Sequence, residues 1–242
     1  SDVCSSDLIK NMKKYLFLIL TLFVAFNSYS QLLKLDNYEF ESKKVKASII
    51  KFAGESVIKV ERDLDALPFD LTKLESTVDE PTFVELKNVI FENGVIEVKM
   101  LSQIQNPSPF KGAQGFIGVA FRITDNDKEY ESIYLRPGVG RSDNQFARNH
   151  TVQYYSYPTY KFDTLRKLSA GMYETSAPVG LNEWITYKLV VKDKVAELFI
   201  NDSKYSTMIV KDLKGSMTKG SIGLWVDIAT IGYFKDLKIT KL

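Results

Sequence analysis

The sequence predicts an all-β protein, a sandwich of two curved antiparallel sheets. Three observations carry this expectation. Apolar and polar residues alternate with period two in one segment after another. Turn-forming residues separate those segments, as at Asn93-Gly94, Asn201-Asp202 and Lys214-Gly215. Only one short stretch, Asp163–Leu168, reads as a helix. Many short strands in one domain make a sandwich or a barrel. Their amphipathicity on both faces favours two sheets over a small closed barrel. No repeat of fixed period is visible, which disfavours a propeller or a solenoid.

The elements follow in chain order. Residues 1–11 precede Met12 and read as translated upstream sequence. Met12-Lys13-Lys14 then opens a signal peptide over 12–30. Its apolar run, Leu16 to Phe26, has 11 residues, too few to cross a bilayer. Ser28-Tyr29-Ser30 offers a small-x-small site, so cleavage is expected after Ser30 and the protein is expected to be secreted or periplasmic. The remainder, 31–242, is expected to be a single domain with no membrane span. It carries 29 basic and 28 acidic residues and no cysteine, since Cys4 lies upstream. Disulfides and thiol chemistry are thereby excluded. Near-zero net charge argues against a nucleic-acid partner. A lone histidine, His150, excludes a multi-histidine zinc centre. The acidic stretch Glu61–Glu80, with seven acids and two bases, reads as a long surface connection.

Strands come next. Ile96, Val98 and Met100 share one face of Gly94–Leu101, and Ile117, Val119, Phe121 and Ile123 share one face of the following strand. Ile185, Tyr187, Leu189 and Val191 repeat the pattern. Lys192-Asp193-Lys194 then turns the chain into a hairpin partner carrying Ala196, Leu198 and Ile200. Ile222, Leu224 and Val226 make another strand, and Leu237 and Ile239 belong to the last.

Opposite the apolar face of Gln114–Ile123 lie Phe116, Gly118, Ala120 and Arg122. Small residues between an aromatic and an arginine leave room over a sheet. The next strand places Tyr130, Ser132, Tyr134 and Arg136 together, and a third places Gln153, Tyr155 and Tyr157 together. Tyrosine plates with planar amide and guanidinium groups suit sugars: C–H faces stack on the rings and hydroxyl pairs take forked donors. The polar loop Pro137–His150 adds Arg141, Asp143, Arg148, Asn149 and His150. A carbohydrate is therefore the expected ligand. Glu131 shares a face with Ile133 and Leu135 and is expected to turn inward, a weak catalytic candidate beside His150.

The stretches Phe91–Val98, Tyr130–Pro137 and Arg148–Tyr154, with Asn182-Glu183-Trp184 and Gly223-Leu224-Trp225, resemble secreted 3-keto-disaccharide hydrolases. The resemblance implies a concanavalin A-like jelly roll, distantly similar to laminarinase-type glycosidases and laminin G-like modules. Laminarinase-type enzymes carry Glu-x-Asp-x-x-Glu on one strand; this chain has no such run. Chemistry on a keto-sugar needs only a base for an activated proton and a cation for the developing oxyanion. His150 with Arg136 or Arg148 is expected to supply both. A noncatalytic laminin G-like or lectin-like binding module is the alternative. No cofactor is required. The one metal to consider is a structural calcium at Asp125-Asn126-Asp127 or Asp143-Asn144, although the first trio also suits an ordinary turn.

Overall fold

The computed structural model describes residues 32–242, so the leader expected at 12–30 and the residues before it lie outside the described residues. In chain order the strands are β1 (Leu33–Leu35), β2 (Tyr38–Lys43), β3 (Val45–Phe52), β4 (Glu55–Arg62), β5 (Phe83–Leu86), β6 (Gly94–Ile104), β7 (Ile117–Ile123), β8 (Tyr130–Leu135), β9 (Val152–Tyr157), β10 (Glu174–Thr175), β11 (Ile185–Lys192), β12 (Val195–Ile200), β13 (Met208–Val210), β14 (Ser221–Val226) and β15 (Thr230–Lys241). One antiparallel sheet runs β1-β2-β5-β14-β7-β8-β9-β10 and the other β13-β12-β11-β6-β15-β4-β3. The fold is an all-β sandwich of two antiparallel sheets, one of eight strands and one of seven.

The alternation decides which residues meet between the sheets. Ile117, Val119 and Phe121 of β7, Ile133 and Leu135 of β8, and Ile222, Leu224 and Val226 of β14 all turn inward. They join Ile96, Val98 and Met100 of β6 and Leu189 and Val191 of β11 in one buried cluster. Such interdigitation of two inner faces is the core of a sandwich. Contact across the layers is close: a Cβ on Gly232 of β15 would stand 2.5 Å from Val226 Cγ1. Tyr187 of β11 reaches across and donates its hydroxyl to the Ile133 carbonyl at 2.9 Å.

Period two fails at one place, and the failure matters. Phe121 pairs with Ile222, but Ile123 pairs with the adjacent Ser221, so Arg122 is an extra residue in a β-bulge. Its φ is 55°, in the left-handed region. The bulge reverses the faces beyond it. Ile123 therefore meets Gly223 and Phe83 on the outer face instead of joining Phe121. Arg122 swings the other way and donates to the carbonyls of Glu92 and Asp193, at 2.8 Å each, and to Asn93 Oδ1 at 3.2 Å.

The outer face of the larger sheet is not open. Tyr130, Tyr134, Tyr155 and Trp225 are fully buried there and pack on one another with centroids 5.0–5.8 Å apart. The space over Gly118 is taken as well, since a Cβ there would lie 2.6 Å from Tyr134 Cβ. What covers these rings is the connection between β4 and β5. Glu61–Glu80 is thus not a mere surface link; its last residues form a roof. Trp225 Nε1 donates to the Glu80 carbonyl at 2.8 Å, and the Tyr130 hydroxyl donates to that of Asp79 at 3.1 Å. Lys161 ties the roof down from the side, donating to Glu75 O, Val78 O and Glu80 Oε1 at 2.6–3.0 Å. Arg62 does so from beneath, through Thr77 O. Each of these buried polar groups under the roof thereby finds a partner, the condition for covering a sheet with a loop.

Smaller features also depart from expectation. The helix spans Phe162–Leu168, close to the predicted segment, but Gln145–Arg148 forms a second short helix inside the polar loop. Asn144 caps it, accepting from the Ala147 amide at 3.2 Å. The β11–β12 hairpin turns on two residues, Asp193-Lys194, because Lys192 pairs with Val195. Trp184 lies outside the main core, in a small cluster with Phe52 and Tyr233.

Candidate functional site

Where the roof ends, a cavity of about 310 Å³ remains. That is the lower end of the small-molecule range. Its floor is polar and deeply buried. Tyr134 and Arg136 come from the end of β8, Asp79 from the roof, and Asp227 from the turn between β14 and β15. All four are no more than 6% exposed. The sides are Phe116, Phe162, Arg166 and His150, and the rim is Leu74, Phe110, Gly112 and Phe146.

Asp79 is the unusual group. Its backbone has φ of 54°, a conformation that aspartate tolerates better than most side chains. Such strain concentrates at functional sites. Its Oδ2 accepts one bond, from the Phe162 amide at 3.1 Å. Burial, with the neighbouring Asp227 carboxylate second, pushes its pKa up to about 7. Arg136 and Lys161 oppose that rise. Asp227 is anchored differently. Its Oδ1 is 2.6 Å from Arg62 Nη1 and accepts from the Ile228 amide, while Oδ2 accepts from the Asp79 amide at 3.0 Å. Burial raises the pKa of Asp227 too, and the Arg62 guanidinium opposes the rise.

Arg136 is buried over the Tyr134 ring, 4.9 Å from its centroid. It donates to the Tyr134 hydroxyl and to the His150 carbonyl, both at 2.6 Å. Arg166 binds both oxygens of Glu174, at 2.9 and 3.2 Å through Nε. His150 has both ring nitrogens engaged: Nδ1 with the Phe146 carbonyl, and Nε2 at 3.3 Å from Glu174 Oε1. A histidine so placed is less free to move a proton than Asp79.

Of the residues nominated from sequence, the structure brings Tyr134, Arg136 and His150 to the cavity. The others are placed elsewhere. The bulge takes Arg122 to the inter-sheet side. Glu131 is fully buried there, accepting from the Tyr154 hydroxyl at 2.5 Å and the Gly215 amide at 2.7 Å. Burial raises its pKa, yet it faces no cavity and is a structural carboxyl. Tyr155 is sealed under the roof and donates to the Tyr130 hydroxyl at 3.1 Å. Tyr157 stacks on Tyr130 at 5.0 Å and donates to Glu80 Oε2, so it holds the roof. Gln153 is buried and spends its amide on the carbonyls of Tyr154 and Tyr173. Arg141 pairs with Glu183 at 2.7 Å on the surface, and Asp143 is exposed. Asn149 is exposed and accepts from Gln145 Nε2. Arg148 ends the short helix and lines no part of the cavity. Arg148 and Asn149 sit at the end of the short helix, which turns successive residues in different directions.

The trio Asp125-Asn126-Asp127, suggested for calcium, lies in the turn between β7 and β8. Asn126 Oδ1 accepts from the Lys128 amide, and Asp127 Oδ2 faces Lys43 at 3.5 Å. Among the described residues no group of three or more acidic, histidine or cysteine side chains is gathered to hold a metal.

No protein-family model matches the sequence, and no curated protein matches it. Solved structures share its architecture at very low identity. A carbohydrate-binding module from Bacillus subtilis is 10% identical over 81% of this chain and 94% of its own, with a TM-score of 0.49. A Bacillus licheniformis β-glucanase is 13% identical over 90% and 96%, with a TM-score of 0.42. A galectin from Caenorhabditis elegans is 13% identical over 64% and 94%, with a TM-score of 0.37. These are likenesses of fold, which hosts binding and catalysis alike and assigns no residue here a role.

Proposed function

We propose that this chain is a carbohydrate-active protein that takes one sugar ring into the cavity and moves a proton on it, with Asp79 as the base. The observation that carries the reading is Asp79 itself: a cavity-facing carboxyl whose pKa of about 7 suits a group that must change protonation near neutral pH. The sequence resemblance to 3-keto-disaccharide hydrolases supplies the substrate class, a glycoside bearing a ketone at C3.

The chemistry is then an elimination followed by hydration. The Asp79 carboxylate takes the proton from C2, the carbon beside the ketone. The electrons of that C–H bond form an enolate, whose oxygen is stabilised by the Arg136 guanidinium and its bonded Tyr134 hydroxyl. Collapse of the enolate breaks the C1–O bond. The leaving oxygen takes a proton from the acid form of Asp79 or from water. Water then adds to C1 and gives the free keto-sugar. Burial, with the neighbouring Asp227 second, holds the proton on Asp79 up to near-neutral pH. We further propose that the protein acts outside the cytoplasm after loss of the 12–30 segment, which the intact mass of exported protein tests.

The test is turnover of a 3-keto glycoside. Asp79→Asn should lower kcat by about 10²- to 10⁴-fold, the usual range for loss of a general base, and should leave binding largely intact. Unchanged turnover would remove Asp79 from the mechanism. Saturable binding of plain glycosides, with no turnover of any keto-sugar, would leave the noncatalytic laminin G-like or lectin-like module.

A further inference from the structure

The cavity changes character from floor to rim. Its floor is Asp79, Asp227, Arg136 and Tyr134, polar and at most 6% exposed. Its rim carries hydrocarbon: Leu74 from the roof, Phe110 from the loop before β7, and Phe146 from the short helix. Phe146 is 73% exposed, so it is not there to fill a core. The Asn144 cap fixes its helix, and the His150 ring lies against it at 4.4 Å. Phe110 is held as firmly. It packs on Phe69 at 5.1 Å, and it lies so close over Gly112 that a Cβ there would stand 2.5 Å from the ring. Glycine is the residue that lets this ring lie flat along its own loop.

Rim and floor offer different chemistry. A second sugar ring needs forked donors and acceptors for its hydroxyl groups. The rim side chains have none. One amide, Gln114, lines the cavity uncommitted, a single group where a sugar ring presents several hydroxyls; His150 is committed to Phe146 O and Glu174, and Arg166 to Glu174. Flat hydrocarbon faces suit another flat apolar ring, which stacks or meets edge to face. The volume of about 310 Å³ points the same way, with room for one ring inside and the next group at the rim.

We infer that the glycoside taken by this site carries a flat, apolar leaving group, an aryl aglycone, which rests on Phe146 and Phe110 while the sugar occupies the floor. This deepens the proposed function and rests on it for the identity of the floor ligand. It makes Phe146 and Phe110 the residues that select the aglycone. They touch no reacting atom.

Binding to the mature protein tests it, read by calorimetry or ligand-observed NMR. The probes are methyl and 4-nitrophenyl glycosides of glucose, galactose and mannose, with 4-nitrophenol alone as a control. For the sugar that binds, the 4-nitrophenyl glycoside should bind at least about tenfold tighter than the methyl glycoside, as expected for a stacked aromatic ring. Phe146→Ala should remove most of that ratio and leave the methyl glycoside unchanged, whereas Phe146→Trp should keep it. Gly112→Ala, which displaces Phe110, should shrink the ratio too. Because Phe146 is exposed, its substitution does not threaten folding. Equal affinities for the two glycosides, or a ratio untouched by Phe146→Ala, would overturn the inference while leaving a sugar site. Binding of 4-nitrophenol that depends on Phe146, with no gain from any sugar, would keep the aromatic rim and reject the carbohydrate reading. Absence of binding by all probes would overturn the inference, while turnover of a 3-keto glycoside decides the proposed function separately.

Discussion

The two faces of β7, β8 and β9 are both buried, but they are buried by different means. The inner face closes on a second sheet, mostly hydrocarbon against hydrocarbon, with Tyr187 bonded to Ile133 and with Arg122 and Glu131 bonded towards one end. The outer face closes under a loop. There Lys161, Arg62, Trp225 and Tyr130 each give hydrogen bonds to the backbone of residues 75–80 or to groups upon it. A sheet needs only area and fit to bury a face. A loop must also have its peptide groups satisfied, because only some of them pair within the loop, as Thr77 and Val78 do with Leu74. That requirement brought charged residues to the outer face, and charged residues beside a cavity are what chemistry can use.

The comparison breaks most visibly on the inner face. Phe121→Ala should cost about 3–5 kcal/mol, the range for large-to-small substitution at a fully buried aromatic. The outer-face counterpart is Lys161→Met, which removes three hydrogen bonds and leaves Glu80 without its cation. Its cost should be smaller, about 1.5–3 kcal/mol, and local. Urea midpoints measure both. Limited proteolysis then separates them: Lys161→Met should open cleavage within 63–80, and Phe121→Ala should lower global stability without favouring that segment.

A third expectation concerns pH. Asp79 has a folded pKa of about 7, above its unfolded value of about 3.9. Here the folded state holds the proton more tightly than the unfolded chain does. The contribution of this group to stability is most favourable below pH ~4. Between pH ~4 and ~7 it falls, by about 1.4 kcal/mol as the pH rises by one, and above that range it is a constant cost. Asp79→Asn lacks this slope. The variant should match the parent near pH 4 and exceed it in urea midpoint at pH 8, while losing turnover. A flat difference across that range would mean that Asp79 ionises normally. The smallest effects belong to the surface arginine. Arg141→Ala removes an exposed pair with Glu183 and should change stability by less than about 1 kcal/mol, with no effect on ligand affinity.

Tyr134, Arg136 and His150 were readable as residues of the cavity because they sit at a strand end and its following loop, where residue type and position agree. Asp79 and Asp227 were not. Seven acids in Glu61–Glu80 read as solvated, and nothing in their order separates Asp79, which is buried, from Asp65, which is exposed. The clue available was Val78 beside it, followed by Pro81, an apolar and a rigid residue at the end of an otherwise polar stretch.

By itself the sequence determined the all-β class, the near balance of charge over residues 31–242, and the inward set of each regular strand. These follow from composition and from a two-residue repeat, which are local properties. Tertiary structure decided the rest. A single inserted residue at Arg122 exchanged the faces of the strand beyond it, because side chains alternate strictly and one extra position reverses them. Alternation also says only that a face is distinct, never what covers it. The outer tyrosines had the pattern of an open binding surface, yet they became the floor beneath a loop that starts 68 residues before the first of them, at Arg62. Only that long-range closure brought Asp79, Asp227, Arg136 and Phe162 around one cavity.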